Sequence, residues 1–307
     1  MDKKYYLAID IGASSGRHIV GWKESGEIKT KEIYRFENHV DNQGGHLVWD
    51  TKRLFNEIKK GLKVAFSQYE SIESLAIDTW GVDYVLIKDG KSVLPCYAYR
   101  DSRTESAIEE INSKISFETF YMRTGIQFQP FNSVYQLYAD KKSGRLDGVS
   151  TFLMMPEYFG YLLTGNMVKE YTNATTTGLV NCKTKEFDTD LIQILGLPLQ
   201  MFPSLNMPGT VVGKLKDDVA KEVGGQTTVK LCPSHDTASA FYAVDNPEDS
   251  VLISSGTWAI LGAKIKEANV SRDALRCNFA NEGGVGNFRF LKNITGMWIN
   301  VCLKNVF

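Results

Sequence analysis

Three strand-forming runs joined by two tight turns open the chain, and an amphipathic stretch then carries it to a fourth run. Residues 5–10 are apolar and end on Asp10. Gly12, Ala13, Ser14, Ser15 and Gly16 make a small-residue turn, and residues 17–22 return. Ser25 and Gly26 turn the chain again into residues 27–36, so the spacing predicts an antiparallel meander. Behind Asp50, residues 51–69 place Leu54, Phe55, Ile58, Leu62, Ala65 and Phe66 on one face of a helix. Residues 74–78 form the next run and, like the first, end on an acid, Asp78. This order is restrictive, because meanders join antiparallel strands whereas parallel strands need a crossover.

A meander followed by a crossover is the ribonuclease H-like layout, an α/β class commonest in actin-like ATPases and sugar kinases. A length of 307 residues suggests about two domains. Asp245, Asn246 and Pro247 read as a linker, giving a full domain over 1–244 and an incomplete second one over 245–307. Beyond that linker the opening hairpin recurs: a strand over 251–253, a tip of Ser254, Ser255, Gly256 and Thr257, and a return from Trp258. Residues 287–292 read as a further strand and 296–307 as the start of a helix. Helices are also expected over 104–115, 117–122, 133–142, 157–163 and 190–195. The threonine-rich run 171–177 reads as a solvated strand, and residues 203–228 as a loop.

A net charge of −1 points to neither nucleic acid nor an acidic membrane surface as partner. The five cysteines are scattered without a C-x-x-C pair, which argues against zinc sites and disulfide frameworks. The apolar run at the start stops at Asp10, too early for a signal peptide, and no run approaches a membrane span. A cytoplasmic location is expected.

The candidate chemistry lies at the turns. Small residues at a hairpin tip let backbone N–H groups approach an anion, and Ser14 and Ser15 add donors. Asp10 could hold a hydrated magnesium ion. Neither a P-loop motif nor G-x-G-x-x-G is present, and a small-residue hairpin taken alone is most often only a hairpin. Residues 229–232 form a short buried strand broken by Pro233 and Ser234, after which Asp236 and Thr237 open an alanine-rich helix. A carboxylate at such a corner sits among unpaired N–H groups, which favours its ionised form. The residues alone leave two readings open, a proton acceptor and an ordinary N-cap.

Taken together, the motifs GASSGR (12–17), DTWGVD (78–83), YRDSRT (99–104), YTNATTT (171–177), SHDTASA (234–240), SSGTW (254–258) and LKNI (291–294) resemble the FGGY carbohydrate kinase family. They differ from those of its glycerol, xylulose and gluconate kinases. The resemblance implies transfer of the γ-phosphoryl group of ATP, with Mg²⁺, to the 1-hydroxyl of L-rhamnulose in L-rhamnose catabolism. L-fuculose is the alternative acceptor. It further implies that Asp236 is the catalytic base, that Gly81, Asp83, His235 and Thr237 contact the sugar, and that Ala13, Ser14, Ser15, Gly16, Arg17, Thr257 and Asn293 contact the nucleotide. Val301 departs from the pattern, standing where a polar nucleotide contact is expected. The family's second domain also continues past this length and carries a glycine-rich adenosine-binding segment. A chain of 307 residues is therefore expected to be weakly active or an inactive fragment. An actin-like ATPase or a sugar-sensing repressor shares the fold, but SHDT has no evident purpose in the first. The second needs a DNA-reading helix-turn-helix ahead of the strand that starts at residue 5.

Overall fold

A computed structural model describes residues 3–245, 250–255 and 258–295. Strands β1 (Tyr5–Ile11), β2 (Ser15–Glu24) and β3 (Glu27–Glu37) form the expected meander, followed by helix α1 (Thr51–Gln68) and strand β4 (Ser74–Thr79). Next come strand β5 (Tyr84–Lys88), helix α2 (Ser133–Lys142), strand β6 (Thr151–Met154) and helix α3 (Met155–Thr164). Strands β7 (Val211–Lys214) and β8 (Thr228–Lys230) lead into helix α4 (Asp236–Ala243). The last four strands are β9 (Leu252–Ser255), β10 (Trp258–Ile265), β11 (Ala280–Gly283) and β12 (Phe288–Thr295).

The first sheet has the order β7-β8-β4-β1-β2-β3. Its pairs β1–β2 and β2–β3 are antiparallel, whereas β4 lies parallel to both β1 and β8. The meander and crossover are thus present as the spacing predicts. Alternation explains the strands: Leu7, Ile9 and Ile11 point inward from β1 with the more exposed Ala8 and Asp10 between them, as a period of two requires. They meet Leu54, Ile58, Leu62 and Ala65 of α1 and Phe159 and Leu163 of α3 in one core. Asp50 caps α1 by accepting the Arg53 N–H at 2.8 Å. Among the described residues no helix is long and apolar enough to cross a membrane.

Gly61 tests how tightly α1 packs on this sheet. In an exposed helix interior, Gly→Ala stabilises by about 1 kcal/mol. Here a Cβ on Gly61 would meet the buried His18 ring at 2.3 Å, and that ring is fixed by its contact with Ile58 O at 3.2 Å. Gly61→Ala is therefore expected to cost about 1–3 kcal/mol in denaturant unfolding. A variant as stable as the parent would show that α1 can shift outward.

Two stretches differ from the sequence reading. Residues 171–177 are no solvated strand: Tyr171–Ala174 is helical, Thr175–Thr177 is a 3₁₀ turn, and all seven residues are buried. The threonines bury their hydroxyls by turning them back on the chain. Thr175 and Thr176 donate to the carbonyls three residues earlier at 2.7 Å, and Thr177 does so at 2.6 Å. Residues 203–228, read as a loop, hold strand β7 and a helix over Asp217–Val223 that packs on α1.

The second sheet, in the order β9-β10-β12-β11, is antiparallel throughout. It is fastened to the first part of the chain by Tyr121 OH donating to Phe279 O (2.8 Å), Asn281 N–H to Gly125 O (2.8 Å) and Gly283 N–H to Thr175 Oγ1 (2.9 Å). The tip residues Gly256 and Thr257 and the helix expected over 296–307, with Val301, lie outside the described residues.

Candidate active site

A cleft of about 580 Å³ runs between the two sheets. On one side β1 and β4 lie parallel and in register, so Asp10 and Asp78 stand next to each other near their carboxyl ends. Arg17 Nε donates to Asp10 Oδ2 at 2.8 Å. Asp78 Oδ1 is buried with no hydrogen-bond partner. Burial, and then the neighbouring Asp10 and Asp236 carboxylates, push the Asp78 carboxyl well above its usual range. Asp10, Asp78 and Asp236 thus line one cleft, Asp10 paired with Arg17 and Asp78 without a cation beside it.

The turn after β1 is pinned from below. Gly12 N–H donates to Ser15 O at 2.8 Å, and Asn38 holds Ser14 O through its N–H and Gly12 O through Nδ2, each at 2.9 Å. Ala13, Ser14 and Arg17 reach the cleft wall, and Asp10 joins them. Ser15 and Gly16 belong to β2 instead. Gly16 is small for a packing reason, since a Cβ there would meet the Phe36 ring at 2.2 Å. On the opposite side Ser254, Ser255 and Asn293 line the same cleft, so both hairpins border it. Asn293 Oδ1 is buried and without a partner. Thr257 lies outside the described residues.

The turn after β4 is strained. Val82 has φ = 65°, a conformation that β-branched residues avoid, and Asp83 N–H donates to Gly81 O across it at 2.9 Å. Neighbours hold it there. Thr176 Oγ1 accepts the Val82 N–H at 3.0 Å, and Val82 O accepts from Ser133 Oγ (2.5 Å) and Gln136 Nε2 (3.2 Å). Gly81 and Val82 line the cleft. Asp83 does not: it is fully buried beneath, accepting from Trp49 Nε1 (2.6 Å), Trp80 Nε1 (2.9 Å), Tyr99 N–H (3.1 Å) and Gln136 Nε2 (3.1 Å). Asp83, expected to contact the sugar, instead lies outside the cleft lining as a hub that fixes the turn.

His235 is the N-cap residue of α4, so Asp236 is its first helical residue rather than the cap. The corner is anchored on both sides. Thr79 N–H donates to Ser234 O at 3.0 Å, and the buried Glu170 accepts Ser234 Oγ at 2.6 Å. Thr237 N–H and Oγ1 hold Asp236 Oδ1 at 2.5 and 3.0 Å. The Asp236 side chain is 37% exposed and opens on the cleft with His235 and Thr237.

Two partners of this corner have no signal in the sequence. Glu282 and Arg289 face each other across β11 and β12. Arg289 is 1% exposed, and its guanidinium lies 3.0 Å from Glu282 Oε2 and within 3.3 Å of His235 Nδ1. His235 Nε2 in turn lies 3.3 Å from Asp236 Oδ1. Burial opposes a charge on Glu282, but Arg289 and His235 hold its carboxyl down at about 2.

Known proteins agree with this architecture. A xylulose kinase from Lactobacillus acidophilus superposes with a TM-score of 0.84 at 17% identity, over 99% of this chain and 63% of that one. Plasmodium falciparum glycerol kinase with ADP gives 0.74 at 17%, over 99% and 64%. The fold is that of the sugar kinases in the actin-like ATPase class. Residues 5–242 match the model of the N-terminal domain of the FGGY family of carbohydrate kinases, and the chain belongs to that family. Two relatives described as rhamnulokinases are 45% identical (Oceanobacillus iheyensis, 95% of this chain) and 46% identical (Halalkalibacterium halodurans, 96% of this chain). The chain spans 63% and 64% of their lengths.

Proposed function

We propose that the chain supplies the sugar site, and one side of the phosphate site, of a cytoplasmic kinase that transfers the γ-phosphoryl group of ATP to the 1-hydroxyl of L-rhamnulose. The observation that supports this reading best is the convergence of Asp236 with the Gly12–Ser14 turn and the Asp10–Asp78 pair on one cleft. Relatives at 40–46% identity that are described as rhamnulokinases support the choice of ketose. The division at 244/245 into a sugar-site domain and part of a nucleotide domain belongs to the same proposal.

In this reading the ketose binds against Gly81, His235 and Thr237, with its O1–H directed at Asp236. Thr237 occupies Asp236 Oδ1, leaving Oδ2 to accept the O1 proton as O1 bonds to the γ-phosphorus and ADP departs. Phosphoryl transfer passes through a loose transition state, so positioning does most of the work. Ala13, Ser14 and Arg17 hold the phosphates from one side and Asn293 meets the nucleotide from the other. The buried, unpartnered Asp78 Oδ1 beside Asp10 fits a hydrated magnesium ion, which favours one or two carboxylates plus phosphate oxygens. When bound, Mg²⁺ neutralises charge developing on the phosphates.

The test separates the two ligands. Ser14→Asp places a new negative charge where phosphates are proposed to lie, and should weaken ATP binding by at least about tenfold in calorimetry. Affinity for L-rhamnulose should stay within about twofold of the parent. Loss of ketose affinity with ATP affinity unchanged would exchange the two ends of the cleft.

A further inference from the structure

Asn132 sits at the N-cap of α2, yet its side chain makes no capping bond. That is unusual for a residue whose value at this position is its acceptor oxygen. The side chain is turned elsewhere. Nδ2 donates to Gln127 O at 3.3 Å, while Oδ1 is buried with no partner, and the residue, 4% exposed, lines the cleft. A buried acceptor left unpaired costs about 1–3 kcal/mol, so its persistence calls for a partner that arrives with a ligand.

The surroundings define that ligand. Residues 126–132 are clamped: Asn278 holds Phe128 through both backbone groups, Gln136 Nε2 donates to Phe131 O at 3.0 Å, and Gln136 also holds the strained Val82 carbonyl. The segment that carries the amide is therefore fixed to the same corner as Gly81 and Val82. Beside it the cleft wall carries the apolar groups of Tyr99, Ile126 and Phe131, with the Tyr99 and Phe131 rings edge to face at 5.4 Å, and the amides of Gln127 and Gln129 from the same segment. Among these amides Asn132 is the one whose acceptor is buried and unpaired, and an unpaired acceptor beside aromatic and aliphatic groups suits a hydroxyl whose neighbouring carbon carries a methyl group.

We infer that Asn132 Oδ1 accepts a hydroxyl proton from the far end of the ketose, and that Tyr99, Ile126 and Phe131 cover its terminal methyl group. Asn132 is thereby a specificity-determining residue for deoxyketoses. The inference rests on the ketose-kinase reading above. Asn132 lies on neither the proposed phosphate side nor the SHDT corner, so it discriminates between sugars without touching the transferred group.

Calorimetric titration of L-rhamnulose and L-fructose, which differ only in a hydroxyl on the terminal methyl, tests this on the intact chain, with thermal unfolding of each variant. The parent should prefer L-rhamnulose by about tenfold or more. Asn132→Ala should lose at least about tenfold in L-rhamnulose affinity. Asn132→Asp, which keeps an acceptor and a residue suited to the N-cap, should stay within a few-fold. Unchanged affinity in Asn132→Ala overturns the subsite. So does loss of binding in an Asn132→Asp protein that still unfolds at the parent temperature. Equal binding of the two sugars by the parent overturns the methyl assignment. A parent that binds no ketose overturns the kinase reading together with the subsite, an outcome distinct from the other three.

Discussion

Asp236→Asn is expected to lower kcat by about 10²-fold or more in a kinase-active protein carrying this site, with ketose affinity nearly unchanged. The amide keeps the size of the carboxylate, and its oxygen accepts the Thr237 N–H that now lies 2.5 Å from Asp236 Oδ1. The helix start should therefore survive. What is lost is the ability to take the O1 proton during transfer. A coupled assay for ketose-dependent ADP release, with calorimetry of the sugar alongside, reads both quantities. Near-parental kcat would remove Asp236 from the chemistry, while a matched fall in sugar affinity would make it a binding residue.

Arg289→Met should destabilise the protein by about 3–5 kcal/mol, because it leaves the buried Glu282 carboxylate with only His235, 3.1 Å away, to pair with. Arg289 is 1% exposed and its guanidinium lies 3.0 Å from Glu282 Oε2. The loss has a pH signature. Glu282 is held at about 2, below its ordinary 4.5, so the pair's contribution is fully present above pH 4.5 and disappears as the pH falls toward 2. The gap between parent and variant in denaturant unfolding should accordingly be widest near neutrality and close in acid. Adding Glu282→Gln should restore part of the loss at neutral pH. A gap below about 1 kcal/mol, or one independent of pH, would mean the pair is solvated and supports little.

Those two residues also show where the sequence stops being readable. Asp10, Asp78 and Asp236 are legible because each stands at a visible break in periodicity, the last residue of an apolar run or the first of a helix. Glu282 and Arg289 meet only through the register of β11 and β12, which nothing in ANEG or FRF specifies. Asn132 is hidden in a stretch without period, 126–132, whose shape comes from side chains distant in the chain. Asp83 misleads in the opposite way. It closes a motif beside Gly81, but two tryptophan N–H groups draw it under the floor. The threonines of 171–177 carry strand propensity that burial overrides, because Glu170 caps the segment as a helix by accepting Thr172 and Asn173 N–H groups at 2.7 and 2.9 Å.

The fastening of the second sheet has a consequence for how the site comes into being during synthesis. Chains are made from the N-terminus, and domains tend to fold as units in that order. The first sheet has all its strands once β8 has been made, and Asp236 follows six residues after Lys230, the end of that strand. The Arg289 contact to His235 reaches across 54 residues, and the ties to Thr175, Gly125 and Tyr121 across 108, 156 and 158. Closing loops of that length carries an entropy cost that local elements do not bear. A nascent chain therefore passes through an interval in which the sugar-side corner is folded but its histidine has no buried arginine against it. Pulse-labelling hydrogen exchange during refolding should find β1 and β4 protected before β11 and β12.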